Sequence, residues 1–176
     1  MTALVDSLTV PLDPNWLRVV DPQWVQPLDP MYAARTGGRW NPPGIPTLYL
    51  CDSVDTARAQ VRRLFADRFV DIEDLADTAL ALVSVTIPAG NALDAFTDAG
   101  LAALDLPSTY PQTTSGASIT HQQCQPIGRS AFNAGLDGVC ARSAAPGARP
   151  SNNELAWFPR GRTATATNAQ PFGEWR

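Results

Sequence analysis

The chain has 176 residues, 44% of them hydrophobic and 17% charged, with a formal net charge of −4. That length suits one domain whose core is large enough to fold without a disulfide or a structural metal. All 13 basic residues are Arg, and none falls between Arg68 and Arg129, where seven Asp and Glu do; without a basic stripe, nucleic-acid backbone binding is not expected.

Residues 1–15 read as an extended N-terminal arm containing Pro11 and Pro14. They carry no basic leader and no long apolar core, so no secretory signal is expected. No run of about 18 apolar residues is present to span a membrane. Residues 16–20, WLRVV, have strand character, and 21–38 read as loop because Pro22, Pro27 and Pro30 interrupt them. TLYLC, 47–51, is a short apolar run between turn residues and reads as a buried strand. Residues 53–65 read as a helix capped by Ser53 or Asp55, with Val54, Ala57, Val61 and Leu64 at helical spacing toward the core. A strand is expected over 79–88 and a short helix over 96–106. Residues 107–120 read as a mobile polar loop. A helix is expected over 124–135 with Gly135 at its end, then strands over 137–143 and 154–158. Residues 159–176 read as a frayed polar tail. The elements intermix along the chain, so the expected class is α+β: a single compact domain with a mixed or antiparallel sheet and flanking helices.

Three cysteines, Cys51, Cys124 and Cys140, make an odd number with no Cys-x-x-Cys pair. That pattern suits reduced thiols in the cytoplasm. His121 and Cys124 stand at helical spacing but lack a second ligand pair, so no metal site is expected. No Gly-x-Ser-x-Gly elbow, P-loop or Gly-x-Gly-x-x-Gly run is present.

The densest stretch is GGRWNPPGIPTLYL, 37–50. Gly37 and Gly38 permit close backbone approach, and Asn41-Pro42-Pro43-Gly44 sets a rigid turn. Arg39, held by that turn, either pairs with a nearby Asp while Trp40 packs into the core, or offers its fork to a phosphate or carboxylate. Arg18, within an apolar strand pattern, either faces outward or converges on the same anion. Tyr49 would ordinarily be core with its hydroxyl bonded locally.

Taken in order, these residues resemble the RES domain, a toxin family named for an Arg, a Glu and a Ser. The resemblance runs from WLRVV with Arg18, through GGRWNPPG and LYL with Arg39 and Tyr49, to IGRSAFNAGLDGVCARS ending in Ser143, and NNELAWF. It marks 16–158 as an NAD-binding domain. It implies a fold similar to ADP-ribosyltransferase toxins and a cleft in which NAD is the substrate, with no metal. The nicotinamide–ribose bond would be cleaved with water, phosphate or a protein side chain as acceptor, and a cognate antitoxin would block the cleft. By the same resemblance Arg18 and Arg39 hold the pyrophosphate, and Tyr49 stacks on or bonds the nicotinamide ribose. Ser143 bonds a ribose hydroxyl or the nicotinamide end.

One position departs from the pattern. The family acid belongs in the helix after LYL, where this chain has Gln60. Gln accepts a hydrogen bond but carries no charge to offset the cation that develops on the ribose. Either the chain is a catalytically weakened nucleotide- or partner-binding module, or another carboxylate serves, for which Glu154 is the one candidate.

Overall fold

The computed structural model describes residues 8–66 and 70–176; the first seven residues of the expected arm lie outside the described residues. One sheet gathers β1 (Thr9–Pro11), β2 (Asn15–Val20), β3 (Leu48–Cys51), β4 (Ala81–Thr86), β5 (Asn91–Ala95), β6 (Gly138–Arg142), β7 (Asn153–Trp157) and β8 (Thr165–Pro171). Across the sheet the order is β1-β5-β6-β7-β3-β2-β4-β8. The β5–β6 pair is parallel and its neighbours are antiparallel, so the sheet is mixed. The helices among the described residues are α1 (Met31–Thr36), α2 (Val54–Phe65), α3 (Asp98–Ala103) and α4 (His121–Asn133).

Strand β7 is central, and its sequence shows why. Leu155 and Trp157 enter one apolar layer with Trp16, Leu48, Leu50 and Val85. Ala156 and Phe158 enter the opposite layer with Val139, Leu101 and Ala131. A strand buried on both faces needs apolar residues at successive positions, and ELAWF supplies them. The first residue of that run, Glu154, is the exception. It stands opposite Ala141 of β6 and Cys51 of β3.

Helix α2 begins where Ser53 Oγ accepts the Thr56 N–H, the expected cap. Ala57 and Val61 are fully buried against the sheet, but Leu64 is 45% exposed. The buried stripe therefore ends one turn early, and Leu64 borders a hollow with Arg18 and Trp24. Helix α4 starts at His121, before the expected residue 124, because Thr120 and Gln123 form a capping box.

Other elements depart from expectation for identifiable reasons. The stretch 21–38 is not all loop: Pro30 sits at the N-cap of α1 with φ −77° and Gly37 ends the helix at φ +74°. Proline is tolerated at a helix start, so the proline run hid a short helix. Residues 107–120 are pinned rather than free, since Tyr110 and Ile119 are each 2% exposed and Gln112 bridges Ser118. The segment 159–176 is not a frayed tail. Strand β8 pairs antiparallel with β4, and Phe172 and Trp175 pack edge-to-face at 5.0 Å in the layer beneath α2. All side chains of β8 are exposed, so no apolar alternation betrays it. Strand β1, inside the expected arm, pairs with β5. Cys51, Cys124 and Cys140 are buried with free thiols. No helix among the described residues is long and apolar enough to cross a membrane.

Phe172, 1% exposed, anchors the C-terminal segment. Phe172→Ala is expected to cost about 3–5 kcal/mol, read as a lowered denaturation midpoint in urea. A midpoint equal to the parent's would mean that the segment does not contribute to the core.

Candidate active site

The cleft begins at a gap in the sheet. β2 is zipped to β4 over six residues, yet meets β3 only at Leu17 and Cys51. Beyond that pair the strands part, and Arg18 reaches across. Its Nη1 donates to the Tyr49 carbonyl at 2.8 Å, a group that a closed ladder would have bonded. Its Nε is buried and has no hydrogen-bond partner among the described residues. Desolvation pushes the Arg18 pKa down to about 10, against the opposing influence of Cys51 and Asp29. A buried cation with an unpaired donor is costly unless an anion completes it.

The turn 37–45 is built around two side chains. Buried Asn41 donates to the carbonyls of Ala33 at 2.9 Å and Ile45 at 3.1 Å. Its Oδ1 accepts the Tyr49 hydroxyl at 2.7 Å, and that hydroxyl in turn accepts the Trp40 N–H at 3.0 Å. Tyr49 thus meets the cleft with its ring, its hydroxyl being engaged inside. Burial pushes the Tyr49 pKa up, so the phenol stays neutral. A Cβ at Gly128 of α4 would collide with the Trp40 carbonyl oxygen; backbone-to-backbone packing there requires glycine. Arg39 is fixed by donation from Nη1 to the Ile119 carbonyl at 2.6 Å. Its other nitrogens make no hydrogen bond to the described residues.

At the centre lies Glu154. Ser143 Oγ and Gln60 Nε2 both donate to its Oε1, and Arg63 Nε donates to Gln60 Oε1 at 2.9 Å. The four side chains form one chain of hydrogen bonds from α2 to the loop after β6. Desolvation pushes the Glu154 pKa up, while the Ser143 hydrogen bond and then Arg63, Arg39 and Gln60 oppose it.

Two hollows border this carboxylate, and a third adjoins the first. One of about 270 Å³ is bordered by Arg39, Tyr49, Gln60, Arg63, His121 and Glu154. A second, of about 200 Å³, shares Tyr49, Gln60 and Glu154 with it and adds Arg18. The third, of about 440 Å³, shares Arg39 and adds Ser143 and Arg149. Arg18, Arg39, Tyr49, Gln60 and Ser143, named from the sequence, all border these hollows. Arg63 and Tyr32 were missed. Arg63 lies three residues after Gln60, the spacing that puts two side chains on one helix face. Tyr32 belongs to the helix hidden by prolines. His121 borders the first hollow as well, and burial lowers its pKa. Among the described residues no cluster of His, Cys, Asp and Glu could hold a metal ion.

A half-buried carboxylate held by two donors, with arginines beside a gap in a mixed sheet, marks a polar cleft in an α+β protein. The chain belongs to the RES domain family, whose model matches residues 15–174. It is 30% identical over 121 residues to the NAD(+) phosphorylase MbcT of Mycobacterium tuberculosis and of Mycobacterium bovis. That alignment covers 64% of this chain and 58% of those relatives' length. The fold is similar to a chain in the crystal structure of the M. tuberculosis MbcT–MbcA toxin–antitoxin complex. The TM-score is 0.78 at 22% identity, covering 99% of this chain and 96% of that one.

A carboxyl with a higher pKa folded than unfolded favours the folded state while protonated. It loses that contribution as pH rises through the folded pKa. Glu154→Gln keeps the shape and an acceptor oxygen for Ser143 and Gln60. It is therefore expected to be at least as stable as the parent at pH 7, with the difference shrinking toward pH 4, in guanidinium melts across that range. A variant markedly less stable at pH 7 would mean that the ionised carboxylate is held favourably.

Proposed function

We propose that this chain is the toxin of a toxin–antitoxin pair and destroys NAD by cleaving its nicotinamide–ribose bond. The observation that carries the proposal is the convergence of Arg18, Arg39, Tyr49 and Gln60 on two hollows that share Glu154, with Ser143, at the edge of the adjoining third hollow, donating to that carboxylate. The pyrophosphate takes the unpaired Nε of Arg18 and the free nitrogens of Arg39, as bridging, charge-assisted bonds. The Tyr49 ring packs against the nicotinamide ribose, and Ser143 stands at the ribose hydroxyls.

Breaking the C1′–N bond sends its electron pair out on neutral nicotinamide and leaves positive charge on the ribose. A carboxylate at about 4 Å offsets that charge by on the order of 4 kcal/mol at an effective dielectric of 20, roughly a thousandfold in rate. An oxygen of the acceptor then bonds C1′. The name of the MbcT relatives, NAD(+) phosphorylase, favours inorganic phosphate over water or a protein side chain as that acceptor. The toxin–antitoxin title of the solved structure supports a cognate antitoxin that covers the cleft. Gln60 is the observation that favours a second reading, a nucleotide-binding module with weakened catalysis.

Calorimetric titration with NAD tests the site. Arg39→Ala is expected to weaken binding about tenfold to a hundredfold, the loss of a charged hydrogen-bonding group. Arg62→Ala, on the exposed face of α2, is expected to leave it unchanged. Equal effects would remove Arg39 from the phosphate clamp.

A further inference from the structure

We infer that the catalytic acid of this protein has moved from helix to strand: Glu154 of β7 is the carboxylate that offsets the ribose cation, and Gln60 and Ser143 hold it in place. The inference rests on the reading of the chain as an NAD-cleaving enzyme and explains how that chemistry proceeds with Gln at position 60.

Geometry carries it. The Gln60 and Glu154 side chains are in hydrogen-bond contact, so a charge on either serves nearly the same point in space. The orientation of the Gln60 amide is dictated by its neighbours. Its oxygen accepts from Arg63, and its nitrogen donates to Glu154. Reversing the amide would set an oxygen against the carboxylate and an NH₂ group against the guanidinium. Gln60 therefore acts as a donor to a carboxylate, a role that Glu at this position could not fill while ionised.

Both donors converge on Oε1, and Oε2 accepts no hydrogen bond from the described residues. Glu154 borders the hollow of Arg39 and the hollow of Arg18 together. No packing need explains a charge there. Its cross-strand neighbours are Ala141 and Cys51, and the three strand residues after it, Leu155, Ala156 and Trp157, are apolar. Half-burying a carboxylate between them is costly, and groups perturbed in that way cluster at working sites. Its surroundings are otherwise set by Arg63 of α2 and Arg39 of the turn, with Tyr49 and Cys51 of β3 held neutral by burial. Asp29 is the other carboxylate bordering these hollows. Its Oδ1 is engaged by the Met31 N–H at 2.8 Å.

In the step itself the Glu154 carboxylate contributes charge and takes no proton. The C1′–N electron pair leaves on nicotinamide, and a phosphate oxygen lone pair forms the new C1′–O bond.

The test measures nicotinamide release and NAD affinity for the parent, Glu154→Gln, Gln60→Glu, the double variant Gln60→Glu/Glu154→Gln, and Asp29→Asn. Glu154→Gln is expected to lose on the order of a thousandfold in kcat with little change in NAD affinity. Gln60→Glu is expected to gain nothing, because two adjacent carboxylates share a proton. The double variant returns the charge to the helix and is expected to recover much of the lost kcat. An active parent whose Glu154→Gln variant keeps full kcat overturns the inference and leaves the NAD-cleaving function standing. So does a gain of orders of magnitude in Gln60→Glu, or a collapse in Asp29→Asn alone. A parent that binds NAD but releases no nicotinamide overturns the function and the inference with it.

Discussion

The structure turns on a carboxylate placed where a sheet protein can least accommodate one. Glu154 lies in the central strand β7 and is followed by four buried residues, and Ala141 of β6 and Cys51 of β3 flank it. A charge in that position needs hydrogen-bond donors from the protein, and Ser143 and Gln60 supply them. Much else follows from that requirement. The loop after β6 has to return Ser143 to the strand, and α2 has to lie across β3 so that Gln60 reaches the same oxygen. The Ser53 cap and the buried Ala57 and Val61 fix that helix.

The second constraint is the parting of β2 from β3. A continuous ladder there would have closed the sheet over the cleft. Instead Arg18 fills the gap with one hydrogen bond and keeps a buried nitrogen unpaired. Arg39 holds an equivalent place on the other side, tied to Ile119 by one nitrogen. Both guanidiniums are positioned by backbone carbonyls, which orient them without neutralising them. The cleft thus combines Arg18, Arg39 and Arg63 with the Glu154 carboxylate, the arrangement on which the proposed NAD chemistry rests.

Much of this was legible in the sequence, for physical reasons that can be named. The strands β3, β4, β6 and β7 and the helix α2 show as apolar runs or helical spacing, because burial on one face or two leaves that imprint. Strand β8 leaves none, since its side chains are all exposed. Helix α1 was masked by a proline run whose last member, Pro30, in fact begins it; β1 has only three residues, and β5, NALDA, mixes Asn and Asp with its apolar residues. The five named cleft residues were found through motif order rather than periodicity. Glu154 was visible only as a spare acid beside an apolar strand. Its contact with Gln60 is a meeting of β7 with α2 across 94 residues of sequence, which no local pattern encodes. Arg63 was passed over for similar reasons: Arg62 and Arg63 differ by one residue, and only the rotation of α2 in the fold decides which faces the cleft.

The fate of NAD tests the chemistry of the cleft most directly. The parent protein is incubated with NAD, with and without inorganic phosphate, and the products are separated by chromatography. The expected result is free nicotinamide in stoichiometric balance with a phosphorylated ADP-ribose, formed much faster when phosphate is present. Intact NAD under both conditions, from protein that binds it, would contradict the account.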